Sequence, residues 1–153
     1  FAIGGGCQYL LVMDHIMAEK GSYMTLPARK EGIIPGMANL RLWRFTGDRI
    51  ARQAIQNGLT IHSDSEEGKL ICDEIVEKGN MDKKLLETID SYTNSGVVGS
   101  ASNRRAFRIG QEPLDTFRKY MSAYCHDQAY CHFSDALIKN LEHYWNAASR
   151  PVK

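Results

Sequence analysis

Several things the chain has little of narrow its possible roles. Its 153 residues carry 19 Lys and Arg against 18 Asp and Glu, a formal net charge of +1. That balance argues against a dedicated nucleic-acid or acidic-surface binder. The four cysteines, Cys7, Cys72, Cys125 and Cys131, lie in apolar or helical stretches without a compact framework. A disulfide scaffold is therefore not expected, and reduced thiols in a cytoplasmic setting are. No run approaches the roughly 18 apolar residues of a membrane span, and no secretory leader is visible. Internal repeats and low-complexity tracts are also missing. With 43% hydrophobic residues the chain has enough apolar surface for one globular domain.

Familiar catalytic signatures are missing as well. No Gly-x-Ser-x-Gly elbow is present, so nothing supports a Ser-His-Asp hydrolase. Cys125-His126 and Cys131-His132 offer soft ligands, but the two pairs stand six residues apart. On one helix they would sit about 120° from facing each other, and zinc sites show closer, matched pairs. No metal is expected there.

The informative stretch is the beginning, Ala2-Ile3-Gly4-Gly5-Gly6-Cys7-Gln8-Tyr9-Leu10-Leu11-Val12-Met13-Asp14-His15. An apolar approach meets three glycines and then a helical pattern, which reads as a sharp turn into a helix. Glycine has no Cβ to hold a ligand away, and the first amides of a helix lack internal acceptors. Such a junction suits an oxyanion or phosphate. From the glycines alone, a turn made only for close packing is the favoured reading.

Along the chain, residues 6 to about 17 read as the first helix, with Cys7, Leu10, Leu11, Met13 and Met17 apolar. Asp14 and His15 are adjacent, so they face different directions, and no chemistry is assigned to them. Residues 23–26 are strand-like, and Pro27 to Gly36 forms a loop. A helix over 39–45 is broken at Thr46-Gly47-Asp48 and resumes through Gln56, with Asn57-Gly58 as its stop. Leu59 to Ile61 reads as a strand, Ser63 to Glu67 as a polar cap before a helical turn, and Leu70 to Val76 as another strand. Met81 to Tyr92 is an amphipathic helix, and the small residues of 93–102 predict a flexible loop or hinge. Pro113 opens a helix in which Leu114, Phe117, Met121, Cys125 and Gln128 recur at three- and four-residue intervals. Ser134 caps a last helix with an apolar face of Leu137, Ile138, Leu141, Tyr144 and Trp145. The alternation of strands and helices in the first part is α/β.

The run from Ala2 to His15 resembles the oxyanion-hole helix of the crotonase (enoyl-CoA hydratase/isomerase) superfamily. Leu26-Pro27-Ala28-Arg29-Lys30-Glu31-Gly32-Ile33-Ile34-Pro35-Gly36 resembles that family's next signature at the expected distance. Together with Leu70-Ile71-Cys72-Asp73-Glu74, Asn103-Arg104-Arg105-Ala106-Phe107-Arg108 and Gln128-Ala129-Tyr130-Cys131-His132-Phe133-Ser134, these are similar to the 3,5-dihydroxyphenylacetyl-CoA 1,2-dioxygenase branch. The resemblance implies a crotonase-like (ClpP/crotonase) fold. Residues 1–92 would form the C-terminal half of the core and 93–153 a helical oligomerisation region. It further implies an acyl-CoA substrate and a homotrimer or homohexamer. The opening Phe1-Ala2-Ile3 reads as the end of an element. A fragment is expected whose N-terminal half, with the first oxyanion donor and the general base, lies upstream.

By resemblance, Gly5 donates its backbone N–H to the thioester oxygen. Hydratases of the family carry glutamates where this chain has Gln8 and Ala28, and that pair activates and protonates water. Glutamine does not exchange a proton near neutral pH and alanine has no polar atom, so hydration by that pair is not expected. In the dioxygenase branch the glutamine matching Gln8 contacts the hydroxylated ring, and residues matching Ala28 and Ile33 line an oxygen pocket. Neither metal nor organic cofactor is implied, only molecular oxygen and the thioester as substrates. Another crotonase-fold acyl-CoA enzyme, an isomerase, a hydratase-like enzyme or a thioesterase, and a catalytically silent oligomerising subunit are the alternative readings.

Overall fold

The computed structural model describes residues 1–94 and 96–148. Its first half is built from very short strands. β1 (Ala2–Ile3) runs parallel to β3 (Tyr23–Thr25), which pairs antiparallel with β4 (Ile61–His62). A separate pair joins β2 (Met17–Glu19) to β5 (Glu74–Val76) in parallel, with Met17 opposite Glu74 and Glu19 opposite Val76. Between these strands lie α1 (Gly5–Leu10), α2 (Ala28–Glu31) and α3 (Ala38–Asn57). Four helices follow: α4 (Met81–Thr93), α5 (Val97–Gln111), α6 (Leu114–His132) and α7 (Asp135–Ala148).

The core lies where the strand edges meet α1 and α3. Cys7 and Leu11 bury against Met24, Leu26, Leu42, Ala51, Ala54, Ile61 and Ile71. Apolar burial of this kind is the main stabilising term, about 25 cal/mol per Å² removed from water. α3 carries the expected break: Gly47 adopts φ 74°, ψ 163° inside the helix, and Gly58 ends it. Thr46, buried beside the break, turns its hydroxyl onto the Leu42 carbonyl at 3.2 Å.

Several expectations need correction. The first helix ends at Leu10, not near 17, and Met17 belongs to a strand. Helical spacing continues past Leu10, but the N–H of Ile16 is taken by the Asp73 carboxylate at 2.7 Å and β2 pairs with β5. A tertiary partner 57 residues away overrides local periodicity. The loop from Pro27 contains the four-residue helix α2. In the segment 70–76 only Glu74–Val76 is strand, after a 3₁₀ turn at Gly68–Leu70. Ser63 is not a surface cap: it is buried and bonds the Glu19 carbonyl at 3.0 Å.

The predicted hinge at 93–102 is also corrected, because α5 already starts at Val97. Its small residues lie on an exposed helix, where they cost propensity without breaking the hydrogen-bond ladder. Ser134 behaves as expected, with its hydroxyl accepting the Leu137 N–H at 3.3 Å. Among the described residues no helix is long and apolar enough to cross a membrane.

Candidate active site

Gly4 sits at φ 54°, ψ −112° immediately before α1, and its N–H donates to the Thr25 carbonyl at 2.9 Å. This bond fixes the glycine turn against the end of β3. Gly5 is then the first residue of α1 and is exposed, so its N–H has no acceptor within the helix and is open to a ligand.

Gln8 follows one helical turn later, on the same side as Gly5. Its side-chain oxygen Oε1 accepts the Met37 N–H at 2.9 Å, at the entry to α3. That fixes which end of the carboxamide is used. With Oε1 engaged, the two protons on Nε2 are the atoms left to donate to a ligand. The contact also requires Gly36, which has φ 48°: a Cβ there would lie 2.4 Å from Gln8 Oε1.

Ala28 and Ile33, the expected oxygen-pocket pair, are brought together. The Ile33 N–H donates to the Ala28 carbonyl at 2.9 Å, around the left-handed Gly32 that closes α2. Ala28 is buried and Ile33 half-buried. The segment carrying them ends at Gly36 and Met37, where Gln8 is attached, so Gln8 and the 28–37 segment form one unit.

Asp14 and His15 lie at the far end of this region and join other elements. Asp14 pairs with Arg104 and Arg108 of α5. His15 Nδ1 lies 3.1 Å from the Tyr92 hydroxyl, and Nε2 lies 3.6 Å from Glu74. Cys125-His126 and Cys131-His132 belong to α6, where His126 faces Asp127 and His132 faces Gln128.

Sequence reasoning missed the residues that hold the 28–37 segment from behind. Gln128 Oε1 accepts the Ile34 N–H at 3.0 Å, and the Tyr120 hydroxyl donates to the Gly36 carbonyl. Asn140 Nδ2 donates to the Lys30 carbonyl at 2.8 Å. Arg41 and Arg44 converge on Glu112, with Arg41 bidentate at 2.8 and 2.9 Å and Arg44 at 3.2 Å. The Arg41 hydrogen bond, more than the opposing desolvation, holds the Glu112 carboxyl below its ordinary range. Burial raises the Tyr120 hydroxyl, so it remains a neutral donor. The only available sign was Gln128, a polar residue standing in an apolar stripe.

Comparison with known proteins bears on the family and the fold. The enoyl-CoA hydratase/isomerase family profile matches residues 1–121. A (3,5-dihydroxyphenyl)acetyl-CoA 1,2-dioxygenase from Amycolatopsis orientalis is 44% identical over 129 residues, covering 84% of this chain and 29% of that protein. The chain thus spans less than a third of that relative. Among solved structures, an enoyl-CoA hydratase from Mycobacterium avium subsp. paratuberculosis K-10 superposes with a TM-score of 0.84 at 14% identity, over 99% of this chain and 61% of that one. A carnitinyl-CoA hydratase from Mycobacterium avium gives 0.76 at 22% identity, over 99% and 59%. The fold is crotonase-like, and the chain belongs to the enoyl-CoA hydratase/isomerase family.

Proposed function

We propose that this chain carries the enolate-stabilising part of an acyl-CoA site, and that the whole protein is a cofactor-independent dioxygenase. Its substrate would be an arylacetyl-CoA, 3,5-dihydroxyphenylacetyl-CoA by likeness to the Amycolatopsis relative. The observation carrying this reading is the pair Gln8 and Ala28, which by the motif resemblance stand where hydratases of the family hold two glutamates. Without those carboxylates the water chemistry lacks its acid and base, while carbanion chemistry needs only charge stabilisation from these residues.

In this reading an upstream base removes a proton beside the thioester carbonyl, and negative charge grows on the thioester oxygen. The Gly5 N–H, pre-aimed at the start of α1, stabilises it by about 3 kcal/mol, with a second donor supplied from outside these 153 residues. Gln8 Nε2 donates to the hydroxylated ring. Oxygen reacts beside Ala28 and Ile33 and forms a peroxide on the α-carbon; its outer oxygen attacks the thioester carbon and expels CoA, and the O–O bond then breaks as the second α-proton leaves. One molecule of oxygen and one arylacetyl-CoA give one arylglyoxylate, one CoA and one proton. The precursor of a dihydroxyphenylglycine used in glycopeptide antibiotics is such a product. No metal or organic cofactor takes part in the proposal.

The whole protein is further proposed to be a homotrimer or homohexamer. The support is the set of large apolar side chains exposed on the late helices, Leu86 at 68%, Phe107 at 67% and Trp145 at 80%. The deciding experiment is oxygen uptake by the complete protein with 3,5-dihydroxyphenylacetyl-CoA, followed with an oxygen electrode alongside CoA release. Uptake and release in a ratio of one to one is expected, undiminished by exhaustive chelation. CoA release that continues unchanged under nitrogen would replace this reading with a thioesterase, and isomerised acyl-CoA with an isomerase.

A further inference from the structure

The segment from α2 to the start of α3 is held mainly through its backbone. Four side chains distant in sequence reach it: Gln8 at the Met37 N–H, Gln128 at the Ile34 N–H, Tyr120 at the Gly36 carbonyl and Asn140 at the Lys30 carbonyl. Gly32 meets α7 closely as well, since a Cβ there would lie 3.0 Å from the Leu137 nitrogen. Three of the four anchors belong to α6 and α7, and α6 has no buried residue of its own. Tyr120, Tyr124 and Gln128 are spaced four residues apart and share one face of α6. Tyr124 stacks on Tyr120 with the rings 6.3 Å apart and 6° from parallel. This face meets the segment through the Tyr120 hydroxyl and the Gln128 carboxamide, with Tyr124 stacked on Tyr120.

We infer that Gln128 is a positioning residue for the oxygen pocket: its Oε1 fixes the peptide joining Ile33 to Ile34, and with it the placement of Ile33 beside Ala28. The inference rests on the oxygenase reading above. Two successive amides of this turn have partners to satisfy. Ile33 N–H bonds inward to Ala28 at 2.9 Å, and Ile34 N–H bonds outward to Gln128 at 3.0 Å. Removing the outer acceptor leaves a partly buried N–H without a partner, which costs more than the bond itself contributed. The turn from Gly32 to Pro35 then keeps only one of its two fixed amides and can shift as a unit, carrying Ile33 away from Ala28. Gln128 touches neither oxygen nor thioester in this scheme. It acts on the oxygen step through Ile33 alone, whereas Gln8 serves the ring.

Two variants of the complete protein separate this role from general packing. Gln128→Leu keeps the bulk and removes the acceptor, and Gln128→Glu keeps an acceptor oxygen. Hydrogen exchange of the 32–37 peptide reports the anchor without any substrate. Initial rates against dissolved oxygen, at saturating 3,5-dihydroxyphenylacetyl-CoA, report the pocket. Gln128→Leu is expected to speed exchange at Ile34 at least tenfold and to lower kcat/KM for oxygen about tenfold. Affinity for the thioester should move less than twofold, and Gln128→Glu should stay within about threefold of the unmutated protein on both readouts. The inference is overturned if Gln128→Leu leaves exchange unchanged, if exchange rises while kcat/KM for oxygen holds, or if both variants lose oxygen reactivity equally. Absence of oxygen uptake by the unmutated protein would instead overturn the oxygenase reading, and this role with it.

Discussion

The residues up to 76 and the helices from 81 onward are held together in opposite ways. Among the described residues, every buried hydrophobic one except Leu137 lies in the first region, although its strands are two or three residues long. α4, α5 and α6 run for 13, 15 and 19 residues and bury none of their side chains. The first region is fixed by interlocking apolar burial. The second attaches through polar contacts: Glu112 on Arg41 and Arg44, Arg104 and Arg108 on Asp14, Gln128 and Tyr120 on backbone groups. The contrast teaches that long helices need little from the core to form but much from directed bonds to take their place.

The largest effect that would test this contrast is in the core. Leu42 is fully buried in α3, and Leu42→Ala should cost the complete protein about 2–5 kcal/mol, through lost transfer energy and a residual cavity. Leu86 on α4 is 68% exposed, and Leu86→Ala should stay within about 0.5 kcal/mol. Urea midpoints measure both. A large cost at Leu86 would break the contrast in an informative way, because it would mean that a second copy covers the outer face of α4.

The same contrast decides what was legible in the sequence. Helices α4, α6 and α7 follow from their own periodicity, and the broken α3 from Gly47 and Gly58, since those signals are local. The end of α1 was not legible. Asp73 at the Ile16 N–H and the pairing of β2 with β5 act across 57 residues, and no local pattern announces them. The supposed hinge failed for the converse reason: small residues weaken a helix without ending it. At the site, the glycine turn, Gln8, Ala28 and Ile33 could be named from motif resemblance. Tyr120 and Gln128 could not, because a hydrogen bond to a backbone amide 94 residues earlier leaves no trace in spacing.

Next in size is Gln8. Gln8→Ala removes both Nε2, the proposed ring donor, and the acceptor for Met37, and turnover should fall roughly ten- to a hundredfold, or about 1.4–2.7 kcal/mol. Gln8→Glu keeps the acceptor for Met37 but replaces a donor with a negative charge facing the carbanion. It should therefore retain the stability of the parent and still turn over poorly. Near-normal oxygen uptake at saturating substrate in both variants would reduce Gln8 to a structural strut.

The ion triad at Glu112 is a smaller, pH-dependent test. Its folded-state pKa is depressed, chiefly by the Arg41 hydrogen bond, so its stabilisation is present above the ordinary carboxylate range. It is lost as the pH falls through the depressed value. Glu112→Gln should cost about 1–2 kcal/mol at about pH 7, and the gap to the parent should narrow as the pH falls below the ordinary carboxylate range. A gap that persists in acid would mean that packing, not charge, docks α5 and α6 on α3.

The smallest effect concerns thiols, one buried in the core and one on a helix. Burial pushes the Cys7 thiol up to about 11, whereas Cys125 is exposed on α6. The thiolate is the reactive form, so at about pH 8 an alkylating reagent should label the exposed Cys125 faster than the buried Cys7. Labelling of Cys125 should leave the urea midpoint unmoved, because the side chain contributes no buried contact. Labelling of Cys7 should need prior unfolding, since the carboxamidomethyl group has no room among Leu11, Met24 and Leu42. Mass spectrometry of peptides from the native protein over time separates the two rates. Equal rates would mean that the glycine turn and α1 open readily. Protection of Cys125 as strong as that of Cys7 would show that the exposed face of α6 is covered by another copy in the complete protein, and the polar docking seen within one chain would then be only half of what holds this helix.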